Sequence, residues 1–201
     1  ENEILPLGKE ALARLESLSN DPSFSTVVDL PRLVSEQAVF FPLTTGNLEV
    51  AHCPSCKYTE LLDMAKFKKS PLPREEERPL EKVLTPDCNT IESLANFLGL
   101  PKEKTAKALM YTRKEDGKFV FVAVRGDMQL SEAKLEYIVG EVQPADAEAI
   151  ARSGAVAGYA SPIGLNEALI LVDDLIPRSQ NLTAGANETG YHLLNTNYPR
   201  D

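Results

Sequence analysis

The chain has 201 residues, 43% of them apolar and 25% charged, an ordinary globular composition with room for one sizeable core and a small appendage. No apolar run approaches the roughly 20 residues of a membrane span, and three cysteines make no disulfide framework, so a soluble chain in a reducing cytosol is expected. A net charge of −9 argues against a solitary nucleic-acid binder, because phosphate contacts dominate that affinity. There is no start Met and no signal-like opening, so the expectation is a piece of something longer.

In chain order, Leu7, Ala11, Leu15 and Leu18 fall on one helical face, and Asn20-Asp21-Pro22 stops that helix. Two short strands are predicted around Thr45-Gly46-Asn47. Cys53-Pro54-Ser55-Cys56 is one C-x-x-C; with no second pair to complete a tetrahedron, no metal site is expected. Residues 68–79 carry three prolines and seven charges and read as an extended linker. The predicted organisation is therefore an N-terminal segment over 1–67, the linker, and a domain over 80–201.

Within that domain, Asn89 or Thr90 caps a helix with Ile91, Leu94, Ala95 and Leu98 on one face; Gly99 ends it and Pro101 follows. A helix over 101–106 is predicted to feed the strand "TAKALMYT", and Asp116-Gly117 turns it into "KFVFVAVRG". Residues 119–124 are all apolar, which predicts a strand covered on both faces. Ser131 caps a helix with Leu135, Ile138 and Val139 inward, and "DAEAIARSG" is a helix with Ala147, Ile150 and Ala151 on one side. "EALILVDD" reads as a second buried strand and "YHLLNTNY" as the last. Helices and strands interleave, but the hairpin forbids a purely parallel sheet. The fold class is α+β, a mixed β-sheet with flanking helices, preceded by the small N-terminal segment.

The chemistry is not of a familiar catalytic type. His52 and His192 lie in different segments, and no G-x-S-x-G elbow, P-loop or G-x-G-x-x-G occurs. Residues 101–134 carry a local charge of +3 while the rest carries −12, which makes a candidate anion-facing patch. Four constellations stand out: Lys104-Thr105-Ala106-Lys107, Arg125-Gly126-Asp127, Gly158-Tyr159-Ala160-Ser161-Pro162, and "AGANETGYH" with Asn187 and His192. Singly, each has a plain reading: a surface lysine, a strand-end turn, a tight loop, a satisfied strand histidine. Together they are polar or flexible elements at strand ends, where α/β folds place ligand sites. Arg-Gly-Asp is read as part of such a turn and not as an adhesion signal.

The stretches "VLTPDCNTIESLANFLGLPKEKTAKALMY", "VRGDMQLSEAKL", "GYASPIGL" and "AGANETGYHLLNTNYPRD" together resemble the editing domain inserted in bacterial prolyl-tRNA synthetases, a member of the YbaK-like family of aminoacyl-tRNA deacylases. The resemblance covers residues 80–201, about six-tenths of the chain. Residues 42–65, with C-x-x-C-x-Y, look like the synthetase segment just upstream of that insertion. The chain shows no recognisable class II synthetase core.

The resemblance implies hydrolysis of a mischarged aminoacyl-tRNA, with alanine on tRNA(Pro) the usual target. It implies Lys107, Gly158 and His192 as the catalytic set, with Lys107 helping to keep proline out. It implies Thr85, Tyr159, Ala160, Ser161, Pro162 and Asn187 as substrate-binding residues. Thr85 would stand near the terminal ribose, and loop 158–162 would support the substrate carbonyl through backbone N–H groups. It implies no metal and no cofactor, with ATP needed only by a full synthetase. The implied partner is the acceptor end of tRNA(Pro) in the cytoplasm, away from any membrane, in a homodimer if the chain is part of a synthetase. Alternatives are a free-standing deacylase with another target such as Cys-tRNA(Pro), and a non-catalytic tRNA-binding module. One departure is Ser131 where the family usually has Asn; as a helix cap it should preserve the turn. Met110 and Leu130 are expected in the pocket wall.

Overall fold

The computed structural model describes residues 48–201, together with two short strands at Leu33–Val34 (β1) and Val39–Phe40 (β2). The helix predicted over 7–18 and the turn at 45–47 lie outside the described residues. The chain forms two compact units, Glu1–Phe67 and Lys68–Asp201. None of the described helices is long and apolar enough to cross a membrane.

In the first unit β1 pairs antiparallel with β2, and Val50–His52 (β3) pairs antiparallel with Thr59–Leu61 (β4). The two strands predicted around residues 45–47 are thus present but belong to different ladders. The C-x-x-C sits in the β3–β4 turn, which is closed by Cys53 N–H to Tyr58 O and Lys57 N–H to Cys53 O, both at 2.9 Å.

The second unit is built on a long hairpin, Ala106–Arg113 (β6) and Phe119–Arg125 (β7). Val142–Pro144 (β8) adds antiparallel to β6, and Leu169–Val172 (β9) adds parallel to β7, giving a mixed sheet in the order β8-β6-β7-β9. A three-stranded antiparallel sheet stands beside it, with Leu182–Gly185 (β10), Tyr191–Thr196 (β11) and Glu81–Leu84 (β5) in the order β10-β11-β5. A parallel bridge between Thr105 and Thr183 joins the two.

Every residue of β7 is buried. Phe119, Phe121 and Ala123 point into one core with Ala149, Ala155, Ile176, Leu182 and Ala184. Val120, Val122 and Val124 point into a second core with Tyr111, Leu135, Val139 and Val142. A period-two strand sandwiched between two layers must be apolar at every position, which is why the run carries no alternation.

Among the described residues, three α-helices flank the sheets of the second unit. Ile91–Leu98 (α1) starts at a capping box between Thr90 and Ser93 and ends at left-handed Gly99. Glu132–Val139 (α2) is capped by Ser131, whose side chain accepts from Lys134 N–H at 3.3 Å, so serine does serve this turn. Ala147–Ser153 (α3) is capped by Asp146.

Several sequence expectations change. The predicted helix over 101–106 is one 3-10 turn, Lys102–Lys104, and the strand already begins at Ala106. Ile138 is 67% exposed, because α2 turns only Leu135 and Val139 to the core. On α3 the buried positions are Ala149 and Ser153, and Ala147 and Ala151 are exposed. β9 is an edge strand covered on one face, so Ile170 and Val172 stay 45% and 43% exposed. Residues 68–80 have no helix or strand but are tied down: Arg78 N–H donates to Asn181 Oδ1 at 2.9 Å, and Lys69 pairs with Asp173 and Asp174.

The two-core arrangement predicts a large cost for truncating Phe121, which is fully buried. Phe121→Ala should destabilise the protein by about 3–5 kcal/mol. Urea unfolding should show the midpoint fall with the m value unchanged; a loss under about 1 kcal/mol would contradict the packing described.

Candidate active site

A cavity of about 270 Å³ opens between α1, the start of β6, the loop at 158–160 and the β10–β11 hairpin. Its walls are Ile91 and Leu94 from α1, Ala106, Ala108 and Met110 from β6, and Ala160 and Gly185. Asn89, Thr90, Lys107, Gly158 and His192 supply the polar lining. The volume is just under the roughly 300 Å³ at which pockets for drug-sized ligands begin, so it is on the scale of a small group.

The histidine is set by strand pairing. Val83 of β5 faces His192 of β11, which brings the next residues along β5 up to the imidazole. Thr85, fully buried, places its Oγ1 2.6 Å from His192 Nδ1 and 3.3 Å from Gly190 O. The hydroxyl has one proton, so both bonds form together only when Nδ1–H donates to Oγ1 and Oγ1–H donates to the carbonyl. That tautomer leaves Nε2 as the acceptor nitrogen. Burial lowers the imidazole pKa to about 4, so the ring is neutral at pH 7. The Tyr159 ring lies tilted against it, with centroids 5.3 Å apart.

The loop at 158–162 owes its position to two glycines. Gly158 has φ +81°, and a Cβ there would stand 2.8 Å from Asn89 Cβ. Gly185 allows β10 to touch the loop backbone: a Cβ would stand 2.1 Å from Tyr159 C and O and 2.4 Å from Ala160 N. Within the loop, Tyr159 N–H is bound to Val156 O at 2.9 Å, Ser161 N–H to Asn187 Oδ1 at 3.0 Å, and Pro162 has no N–H. The N–H groups of Gly158 and Ala160 make no hydrogen bond among the described residues, and both residues line the cavity. Unpaired N–H groups on two residues that line one cavity are of the kind that suits an oxygen gaining negative charge.

Lys107 reaches the same cavity, with Nζ donating to Met128 O at 2.9 Å. Met128 belongs to the turn after β7, where Arg125 and Asp127 form a two-pronged ion pair at 2.6 and 2.7 Å and Arg125 also donates to Ser70 O at 3.2 Å. The tripeptide is therefore a structural fork whose guanidinium is already engaged. Gly126 is needed for close packing, since a Cβ would stand 2.0 Å from Thr105 Oγ1 and 2.6 Å from Lys102 O.

The basic segment is correspondingly neutralised. Lys102 pairs with Glu92, Lys104 with Glu75, Arg113 with Asp116, Lys114 with Glu141 and Arg125 with Asp127. Five of the segment's eight basic residues thus have acidic partners, and Lys102 and Lys114 remain half-exposed beside theirs.

The family model for the aminoacyl-tRNA editing domain matches residues 85–198. The chain belongs to that family. Over 78% of its length the editing chain is 40% identical to a proline–tRNA ligase of Dehalococcoides mccartyi and 42% identical to one of Thermoanaerobacter sp. strain X514. It spans 28% of the length of each of these curated relatives. A solved hypothetical protein shares the fold with a TM-score of 0.51 at 19% identity, over 58% of this chain and 79% of that one.

Of the site residues read from sequence, the editing domain brings Lys107, Gly158, Ala160 and His192 around one cavity. Thr85 and Tyr159 stand behind His192, and Ser161, Pro162 and Asn187 are not part of the lining. Met110 is in the wall; Leu130 instead packs on the second core. Cys88 is buried with its thiol toward Ser93 O, away from the lining. The sequence reading missed Ile91, Leu94 and Gly185 as cavity residues, along with Asn89, Thr90, Ala106 and Ala108. The first two carry the same helical spacing as a core face, and Gly185 has no side chain to signal contact.

The histidine environment predicts a pH effect on stability. Unfolding exposes an imidazole of ordinary pKa, 6.5, whereas the folded value is about 4. Between these values only the unfolded chain takes up the proton, so this contribution is complete above pH 6.5 and is lost as pH falls toward 4. Thermal melts of wild type and His192→Gln should show wild type losing more stability across that window. Parallel curves would mean that the imidazole is not held buried and neutral.

Proposed function

We propose that this chain hydrolyses the ester between a wrong amino acid, alanine first of all, and the 3′ adenosine of tRNA(Pro), as the editing domain of a prolyl-tRNA synthetase. The observation that carries the reading is that Lys107, His192, Gly158 and Ala160 line one cavity, the last two with N–H groups that have no partner among the described residues. The likeness to proline–tRNA ligases supplies the choice of tRNA.

The need is physical. Alanine is smaller than proline, so a synthetic pocket shaped for proline discriminates poorly, each missing methylene being worth only about 1–3 kcal/mol. A second, smaller pocket admits alanine and refuses the ring. Ile91, Leu94, Ala106, Ala108 and Met110 give this cavity apolar walls for such a side chain. Lys107, held by Met128 O and part of the lining, would in this reading narrow the space left for a larger side chain. The carbonyl oxygen of the ester would rest on the N–H groups of Gly158 and Ala160, which stabilise the oxyanion as water adds. His192, neutral at pH 7, would in the tautomer with Nε2 as acceptor take a hydrogen bond from the attacking water or from a ribose hydroxyl of the substrate.

The reaction asks for no metal and no cofactor, and ATP serves only a synthetase's own catalytic core. With five of the eight basic residues of 101–134 paired to acidic partners, most of the grip on tRNA would come from the remainder of a synthetase, working in the cytoplasm as a homodimer. Charged tRNA panels test the reading. The chain should release alanine from Ala-tRNA(Pro) and leave Pro-tRNA(Pro) intact. Lys107→Ala should begin to hydrolyse Pro-tRNA(Pro), with discrimination falling by about 10- to 200-fold, the span one methylene supplies. Alanine release no faster than in buffer would reject the assignment, and preferential release of cysteine would reassign the target.

A further inference from the structure

Asn187 lies outside the cavity lining yet is the most heavily committed side chain near it. Its Oδ1 accepts Ser161 N–H at 3.0 Å. Its Nδ2 donates to Ser161 O at 3.1 Å and to Ile163 O at 2.9 Å. Its own backbone N–H donates to Tyr159 O at 2.8 Å. It holds the left-handed conformation, φ +51°, which asparagine tolerates better than other non-glycine residues. It stands in the turn between β10 and β11, five positions before His192.

These bonds act on one loop. Asn187 grips residues 159, 161 and 163, while β10 presses on residues 159 and 160 at Gly185. The side-chain amide also occupies the Ser161 N–H, which leaves Gly158 and Ala160 as the unpaired donors. The imidazole and the two donors come from segments far apart in sequence, and this hairpin-to-loop contact helps set the distance between them, beside the Tyr159–His192 ring contact and the packing of Ala160 with Ala184. We propose that Asn187 is a positioning residue, locking the donor loop to the hairpin that carries His192 so that carbonyl support and imidazole face the same substrate atoms. The catalytic part of this inference rests on the deacylase reading above; the lock itself does not.

Asn187→Gly tests it in the full chain, because glycine adopts φ +51° readily and removes only the amide. Amide hydrogen exchange should show Ser161 lose protection by at least about tenfold while β7 amides keep theirs. With Ala-tRNA(Pro), kcat should fall by about 10²-fold, the cost of roughly 1 Å of misplacement, with KM within about twofold. Asn187→Asp keeps the acceptor for Ser161 N–H but loses both donations, so it should retain Ser161 protection and fall between wild type and Asn187→Gly in kcat. Unchanged Ser161 protection in Asn187→Gly would overturn the lock. Lost Ser161 protection with unchanged kcat would overturn its catalytic role, as would a drop in kcat that follows a general loss of β7 protection. If the wild type releases no alanine, the deacylase reading fails, and exchange at Ser161 still decides whether the lock exists.

Discussion

The second unit depends on burying one strand from both sides. β7 has no solvent face, so it must be apolar throughout, and each face must find a separate partner layer. One face takes α2 and β8. The other takes α3 and β10, with the loop through Ala155 and Ala160. That second layer draws the three-stranded sheet against the four-stranded one, joined by the Thr105–Thr183 bridge. The cavity lies beside this junction, and its floor is the start of β6, the strand hydrogen-bonded to β7.

Polar groups around the cavity are held by satisfied neighbours, which suits preorganised chemistry. Thr85 uses its hydroxyl to orient an imidazole and not to meet solvent. Arg125 uses its guanidinium to hold the Asp127 turn, whose next carbonyl, that of Met128, holds Lys107. Each of these roles differs from what the residue types suggest. The threonine is a tautomer support, the Arg-Gly-Asp is scaffolding, and the asparagine is a clamp. In the cavity lining, Nε2 of His192, the side-chain amide of Asn89 and the N–H groups of Gly158 and Ala160 have no hydrogen-bond partner among the described residues.

Much of this fold was legible before the structure because local rules agreed with global ones. The Thr90 cap and Gly99 stop of α1, the Asp116-Gly117 turn and the unbroken apolar run of β7 each carry a local physical signature. The misreadings fall where burial is decided by a neighbour. Ile138 and Ala147 have apolar character but no layer over them. β9 is as apolar as a buried strand yet forms an edge. β5, β8 and β10 were missed, being only 3 or 4 residues long, and β10 consists largely of small residues. Such strands exist because an adjacent strand offers hydrogen bonds, not because their own side chains demand them.

The sequence by itself determined the α+β class, the hairpin core and, through four spaced motifs, membership of the aminoacyl-tRNA editing family with Lys107, Gly158 and His192 as its candidates. These are properties of residue order: periodicity, caps and turns act within a few positions along the chain. Only the tertiary structure decided which groups remain available to a substrate. Whether an N–H, a hydroxyl or an amide is spent depends on partners far away in sequence, such as Asn187 for Ser161 and Thr85 for His192. Hydrogen-bond capacity is finite, and its allocation is settled only when the chain has closed on itself.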